Sequence, residues 1–235
     1  KIKFIGKGAH AGGAPHLGIN ALNAASLALS AIHYNRETFR DNDTIRIHPI
    51  ITKGGEAVSA VPSEVTMETF IRGKTMEAIM DANSKVDRAL RAGALAVGAQ
   101  VNIKTIPGYM PLSQDPNLMD VFKANAINLV GDENIGRRIH GTGSTDMGDL
   151  SQIMPVIHPY VGGATGLGHG ATYVIEDYQL AVITAAKALA STAIDLLSNS
   201  GRLGNEILGK HRPNMTAAEY LAYMRNLNSD ATYDS

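Results

Sequence analysis

The 235-residue sequence predicts a mixed α/β (α+β) fold in two parts, a ferredoxin-like βαββαβ unit and then a helix-rich segment short of sheet of its own. Three observations lead there. The hydrophobic period switches in order between two and about 3.6 as far as Met110. Turn residues then cluster in "PGYMPLSQDP", and helical spacing dominates beyond it. At the start, "KIKFIGK" alternates in part, with Ile2 and Phe4 on one side, as a half-buried strand does. "GINALNAASLALSAIHYN" spaces Ile19, Leu22, Ala25, Leu29 and Ile32 by threes and fours, one face of a helix that starts at Asn20. "TIRIHPI" and "EVTMETFIR" return to period two, with Ile45, Ile47, Val65, Met67 and Ile71 facing one way. "TMEAIMDANSKVDRALRAGALAVG" is helical again, with Thr75 as N-cap, a stripe of Met76, Ile79, Val86, Leu90 and Val97, and Gly98 as the stop. "QVNIKTI" supplies the last strand, completing the split βαβ pattern of an antiparallel sheet with two helices on one face.

The second part predicts a helix over 117–130, a short strand over 137–140 and a glycine and hydroxyl loop in "GTGSTDMGD". A short buried strand in "MPVIHPYVGG" and a second loop in "ATGLGHGATY" come next, then helices over 177–198, 204–210 and 217–226. A layered domain needs more sheet than this, so the segment is expected to complete a sheet supplied elsewhere. The domain boundary falls at 109/110, and Lys1, mid-strand in character, looks like an interior cut.

Composition narrows the function classes. With 21 Lys and Arg against 22 Asp and Glu, no broad basic face is available for phosphates, so nucleic acid is not an expected partner. The absence of cysteine removes disulfides and thiolate metal sites and suits a reducing, cytoplasmic location. The most apolar long window, Tyr178 to Leu197, contains Lys187 and many alanines; it predicts a buried helix, and no membrane partner is expected.

Three histidine-bearing loops draw attention: His10 and His16 in "GKGAHAGGAPHLGINAL", His140 and His158 around "GTGSTD", and His169 in "GLGHGATY". Glycine lets backbone N–H groups approach a ligand, and a neighbouring imidazole binds metal or polarises a carbonyl. The same loops also suit plain turns with histidines held by carbonyls. No HExxH, P-loop or G-x-S-x-G motif is present, and "GTGSTD" lacks the third glycine of a dinucleotide loop.

On these segments the chain resembles the two-zinc amidohydrolases and exopeptidases, the family of aminoacylases, glutamate carboxypeptidases and aminobenzoyl-glutamate hydrolases. "GKGAHAGGAPHLGINAL", "KGGEAVSAVPSEVTMETFIRG", "GTGSTDMGDLS" and "GHGATY" follow that family's motifs in order, on a matching βαββαβ insert. The form of "GSTDMGDLSQIMPVIHPYVGG" is closest to its aminobenzoyl-glutamate or dipeptide branch. The resemblance implies a lid and dimerisation domain over 1–109 and the C-terminal part of a zinc-exopeptidase-like α/β catalytic domain over 110–235. The part of that domain with most zinc ligands and a glutamate base would precede the lid.

The implied activity is hydrolysis of an amide bond in an N-acyl or N-aroyl amino acid or a dipeptide by a zinc-activated water. Two zinc ions would serve each complete site, with manganese or cobalt as substitutes, and the lid would form a homodimer. The resemblance makes His169 a zinc ligand and His10 the donor to the oxyanion of the intermediate held by the second copy. Arg72 would clamp a substrate carboxylate. Gly141, Gly143 and Ser144 would offer donors to the same end, and Asp146 would orient their loop. His140 and His158 are second-rank metal or support residues, His158 being the better packed; His16 and Asn20 are structural. Ser59 stands where the family carries asparagine, a shorter side chain with one donor instead of two. Alone, the segment is expected to be inactive, since a catalytic zinc takes about three protein ligands. Two alternatives stay open: a non-catalytic dimerisation or binding module, and a single metal held by His140, Asp146, His158 and His169.

Overall fold

The computed structural model describes residues 1–136 and 141–234, in two compact units. The expected strand over 137–140, and His140 with it, lie outside the described residues. The first unit comprises Lys1–Pro111, Thr142–Ser144 and Leu221–Ser235. Its elements are β1 (Ile2–Ile5), α1 (Ala21–Tyr34), β2 (Arg46–Ile47), β3 (Ile50–Lys53), β4 (Glu64–Glu68), β5 (Ile71–Arg72), α2 (Met76–Leu95) and β6 (Gln100–Thr105). A final strand, β9 (Ser229–Tyr233), returns from the end of the chain, and the antiparallel sheet runs β3-β4-β1-β6-β9. The first four of these strands and the two helices are the expected ferredoxin-like arrangement.

Period two explains the register. Phe4 on β1 lies opposite Val65 on β4 and Val101 on β6, and all three side chains are completely buried with Met67. Each such side chain contributes about 1.5–3 kcal/mol. Asn20 caps α1, its side chain accepting from the N–H groups of Leu22 and Asn23, and Thr75 caps α2 by accepting from Ala78. Gly98 ends the α2 segment in the left-handed region, φ 72°, as its place after the helix predicts.

The structure corrects several details. The segments 44–50 and 64–72 each contribute two strands, because Pro49 has no N–H to donate and Phe70 turns out to solvent; β2 and β5 pair separately from the main sheet. Met76 and Ile79 are only half-buried. The buried face of α2 runs instead through Ala78, Ala82, Val86, Ala89, Leu90, Gly93 and Ala94. Small residues win there because α1 and α2 pack backbone to backbone: a Cβ on Gly93 would lie 2.6 Å from the Ala28 nitrogen and 2.8 Å from its Cβ.

The second unit comprises Leu112–Gly141 and Thr145–Tyr220. It contains α3 (Pro116–Val130), α4 (Met147–Leu150), the hairpin β7 (Ala164–Thr165) and β8 (Val174–Ile175), and α5 (Ala185–Lys210) after a π-helical stretch at Gln179–Thr184. Residues Ser198, Asn199, Ser200 and Gly201 leave helical geometry and divide α5, matching the two helices expected at 177–198 and 204–210. Then α6 (Ala217–Asn226) runs from this unit into the first. The predicted buried strand at 154–163 is extended chain without ladder pairing, since Pro155 and Pro159 lack N–H groups; Val156 is buried and its carbonyl accepts from the Asp115 N–H.

The expectation of a buried helix over 178–197 is also corrected. Val182, Ile183, Leu189, Ile194 and Leu197 are exposed, Leu197 at 75%, whereas Ala188 and Thr192 are buried. By length and composition alone, Gln179–Lys210 would suffice to cross a membrane. What the sequence could not show is that no second layer covers this face among the described residues.

Asp115 ties the second unit together. Its side chain accepts from the Leu118 N–H at 2.9 Å at the start of α3, and Oδ2 lies 2.9 Å from Nδ1 of His211 at the end of α5. Burial opposes its ionisation, but the Leu118 N–H and His211 outweigh burial and hold the carboxyl below its ordinary range.

Two outcomes test these contacts. Gly93→Ala is expected to destabilise the first unit by about 1–3 kcal/mol through overpacking, read as a lowered midpoint in denaturant. Because folding depresses the Asp115 pKa, its contribution is complete above the unfolded value near 3.8 and is lost as pH falls below that. Asp115→Asn keeps the cap but loses the charged partner of His211; it is therefore expected to cost about 1–2 kcal/mol at pH 7 and to flatten the acid limb of the stability curve below pH 4, measured by circular dichroism.

Candidate functional site

The loop before α1 is held by backbone pairing on two sides. Lys7 and Ile19 exchange N–H···O bonds of 2.9 Å in both directions, closing residues 7–19 into a compact loop. Against it runs the segment before β4: Ala11 donates to the Ser59 carbonyl and Val61 to the Ala9 carbonyl, both at 2.9 Å, with His10 facing Ala60. His10 and Ser59 are thereby brought together on the first unit, both exposed.

The imidazole is set by its own loop. Nδ1 of His10 accepts from the Gly12 N–H at 3.2 Å and the Gly13 N–H at 2.8 Å. A ring nitrogen that accepts carries no proton, so the neutral ring has its hydrogen on Nε2. A Cβ at 12 or 13 would meet the ring only at van der Waals distance, 3.5 and 3.4 Å, so it is the two backbone N–H groups that set the imidazole. The loop therefore fixes the tautomer and presents Nε2–H as a donor with no partner among the described residues.

Arg72 lies on β5, half-buried, its guanidinium 5.7 Å from the Phe70 ring centroid. Its register partner is Arg46 on β2, so two guanidinium groups share one face of the small sheet. Neither has a carboxylate partner among the described residues, and like charges placed opposite each other are unfavourable unless an anion joins them. The sequence reading missed Arg46; its signal was its place in "TIRIHPI", at the same parity as Arg72 once the strands are paired.

The loop "GTGSTD" is divided between the units, with Thr142–Ser144 in the first and Gly141 and Thr145–Asp146 in the second. Gly141, Gly143, Ser144 and Asp146 are all exposed, and Asp146 accepts from the Thr145 hydroxyl at 3.0 Å at the start of α4. His158 packs edge-on against Tyr160 at 5.3 Å, and its N–H donates to Gln114; its Nδ1 is buried without a hydrogen-bond partner among the described residues.

His169 stands at the tip of the β7–β8 hairpin, exposed, in the left-handed region at φ 64°. The Gly170 N–H donates to Leu167 at 2.8 Å, so His169 occupies the third position of a tight turn, where glycine is the usual residue. A side chain held at a backbone cost and projected outward fits one ligand of a metal centre. Among the described residues no three His, Asp or Glu side chains gather as a metal-holding group, so Asp146, His158 and His169 do not form one.

Residues 1–97 match the family described as the peptidase dimerisation domain. The Xaa-Arg dipeptidase of Mus musculus is 33% identical over 205 residues, spanning 83% of this chain and 47% of that protein. A homolog of p-aminobenzoyl-glutamate hydrolase from Haemophilus influenzae is 37% identical over 73 residues, 31% of this chain and 17% of its own length. In fold, a tripeptidase from Staphylococcus aureus superposes with a TM-score of 0.55 at 24% identity, covering 86% of this chain and 50% of that one. The chain thus spans about half the length of the curated relatives it matches first.

The strain at His169 gives a direct test. Exchange for glycine removes a left-handed cost of roughly 1 kcal/mol and adds a comparable unfolded-state entropy. His169→Gly is expected to melt within about 2 °C of the parent by calorimetry, whereas His169→Ala, which puts a residue less tolerant of the left-handed region than histidine at the same φ, is expected to melt below it.

Proposed function

Since the chain belongs to the aminoacylase, carboxypeptidase and aminobenzoyl-glutamate hydrolase family, whose dimerisation domain it carries at residues 1–97, we propose that it works within an enzyme that hydrolyses C–N amide bonds. The substrates are N-acyl or N-aroyl amino acids or dipeptides. The observation that carries the reading is His10, anchored through Nδ1 and offering Nε2–H outward.

In this proposal His10 donates to the oxygen that gains charge as the amide carbon becomes tetrahedral. A pre-set donor is effective because it needs no reorganisation at the moment of reaction. Ser59, beside it, offers a hydroxyl to the substrate. Arg72, with Arg46 opposite, clamps the carboxylate of the amino-acid part, a site that suits the planar fork of guanidinium. Gly141, Gly143 and Ser144 offer further donors, with Asp146 steadying their loop. His169 would hold metal; a bound zinc pair supplies Lewis-acid polarisation of the carbonyl and a water of lowered pKa. The remaining ligands and the general base would come from outside the described residues.

Two surfaces support a larger assembly. The exposed apolar face of α5 is what a missing sheet layer of the catalytic domain would cover; Lys187 lies within the apolar run, and Asp195 accepts from Asn125 of α3, which argues against lipid. The sheet is closed on one edge by β9, whereas β3 is open and carries Ile50 at 61% exposure beside Ile51. An open apolar edge is a pairing template, and a second copy is the proposed occupant.

In the whole enzyme, His10→Asn keeps an acceptor for the glycine N–H groups but no donor in the place of Nε2. It is expected to lower kcat by about 10²–10³-fold with little change in KM, in assays on a panel of dipeptides and aminobenzoyl-glutamate. No hydrolysis of any panel member by the metal-loaded parent would refute the reading.

A further inference from the structure

The segment between β3 and β4 is a small closed loop with an apolar tip. Its arms meet at the base, where a Cβ on Gly55 would lie 3.2 Å from the Pro62 ring. Lys53 donates to Glu56 at 2.8 Å along one arm, and on the other Ser59 and Val61 pair with Ala11 and Ala9 through backbone bonds. At the tip the Ala60 N–H donates to the Ala57 carbonyl at 3.2 Å, closing a tight turn with Val58 and Ser59 at its two central positions.

Val58 contributes nothing to the packing of this loop. Its side chain is fully exposed, at 103%, and no large apolar side chain among the described residues is more so. The loop's apolar anchor is Val61, which is buried and so close to the histidine loop that a Cβ on Gly18 would lie 3.1 Å from its Cγ1. A lone exposed valine is ordinary on a helix or strand. The tip of a tight turn, however, is a place for glycine, proline and small polar residues, and a β-branched apolar side chain gains nothing there from the turn itself. Its position matters as much as its exposure. Ala60, which ends the turn, faces His10, and the Ser59 carbonyl accepts from Ala11. The valine, the serine hydroxyl and the imidazole donor are therefore mounted on one pair of bonded segments. A molecule that accepts a hydrogen bond from Nε2 of His10 has an apolar side chain as a neighbour.

Resting on the amide-hydrolase reading, we propose that Val58 is a specificity-determining residue, the contact for the acyl part of the substrate. The amino-acid part carries a carboxylate and is matched to Arg72 and Arg46, to which a valine adds nothing. The acyl part gains by leaving water against Val58, in proportion to the apolar area it covers. A loop bonded on both arms strengthens the contact, because little ordering is left to be done on binding. The substrate class narrows accordingly: aroyl and branched aliphatic acyl groups are preferred over acetyl or glycyl.

The test uses the metal-loaded whole enzyme with Val58→Ala and with Val58→Thr, which keeps the β-branched shape and exchanges one methyl for a hydroxyl. The substrates are N-benzoyl-glutamate and N-acetyl-glutamate, which differ only in the acyl group. N-benzyl-glutamate and N-ethyl-glutamate, whose amine linkage is not hydrolysed, report binding by calorimetry. The parent is expected to favour the aromatic member of each pair, and both variants to melt within about 2 °C of it. Both variants are expected to lose about tenfold in kcat/KM on benzoyl-glutamate, chiefly through KM, with acetyl-glutamate changed less than about twofold. The preference for the benzyl amine falls in parallel. No aromatic preference in the parent, equal losses on both substrates, no loss on either, or a dimer weakened in sedimentation with selectivity intact would each overturn the assignment of Val58. If the parent hydrolyses neither substrate, the amide-hydrolase reading falls and the two amines decide alone: a benzyl preference that both substitutions remove upholds Val58 as the contact, and any other result overturns it.

Discussion

The close approach of α1 and α2 at Gly93 sets the position of everything attached to the first helix. With no side chain at 93, the backbone of α2 meets Ala24 and Ala28, and both helices settle on one face of the sheet over Phe4, Val65 and Val101. The start of α1 is then fixed, and with it the Asn20 cap and the Ile19–Lys7 bridge that closes the histidine loop. The donor geometry of His10 is a distant consequence of a contact between two small residues. A core built around alanine and glycine is less forgiving than one of leucines, because backbone atoms cannot move aside as side chains do.

The two units differ in how they satisfy their apolar surface. The first buries a continuous core between helices and sheet, and its extra strand β9 is bound by Asn102 to Asp230 and Thr232, by Lys104 to Asp230, and by Tyr233 beneath Arg91. Closing one edge directs any strand addition to the other, which is how a sheet keeps a single pairing partner. The second unit stands on α3 against α5, on the Asp115–His211 pair and on the Gln152–Asn214 hydrogen bond, while leaving large side chains in solvent. Such a surface is stable only when something covers it, and the proposed occupant is the rest of a catalytic domain.

Most of the first unit was legible in the sequence because its signals are local. Strand alternation, the caps at Asn20 and Thr75 and the stop at Gly98 each act within a few residues, and all appear where expected. What was not legible depends on distant partners. The alanine face of α2 looks indifferent until Gly93 is placed against α1. Nothing in "SDATY" announces that it returns to β6, because any short polar alternating stretch can pair when an edge is offered. The strand at 154–163 failed for the complementary reason, an extended segment with prolines and no partner. Of the site, the histidine positions were visible, but the proton on Nε2 of His10, the strained turn at His169 and the pairing of Arg46 with Arg72 required three dimensions.

Ser59 shows how far local geometry constrains chemistry here. Its carbonyl is committed to the Ala11 N–H, so the backbone at this position belongs to the loop that carries His10. Only the side chain is free to vary without disturbing that pairing. An asparagine would add reach and a second donor, whereas the serine hydroxyl acts as either donor or acceptor over a shorter distance. The substitution therefore alters what stands beside the His10 donor while leaving the donor itself unchanged. On the proposed reading, it tunes which acyl group is accepted and leaves stabilisation of the oxyanion to the imidazole.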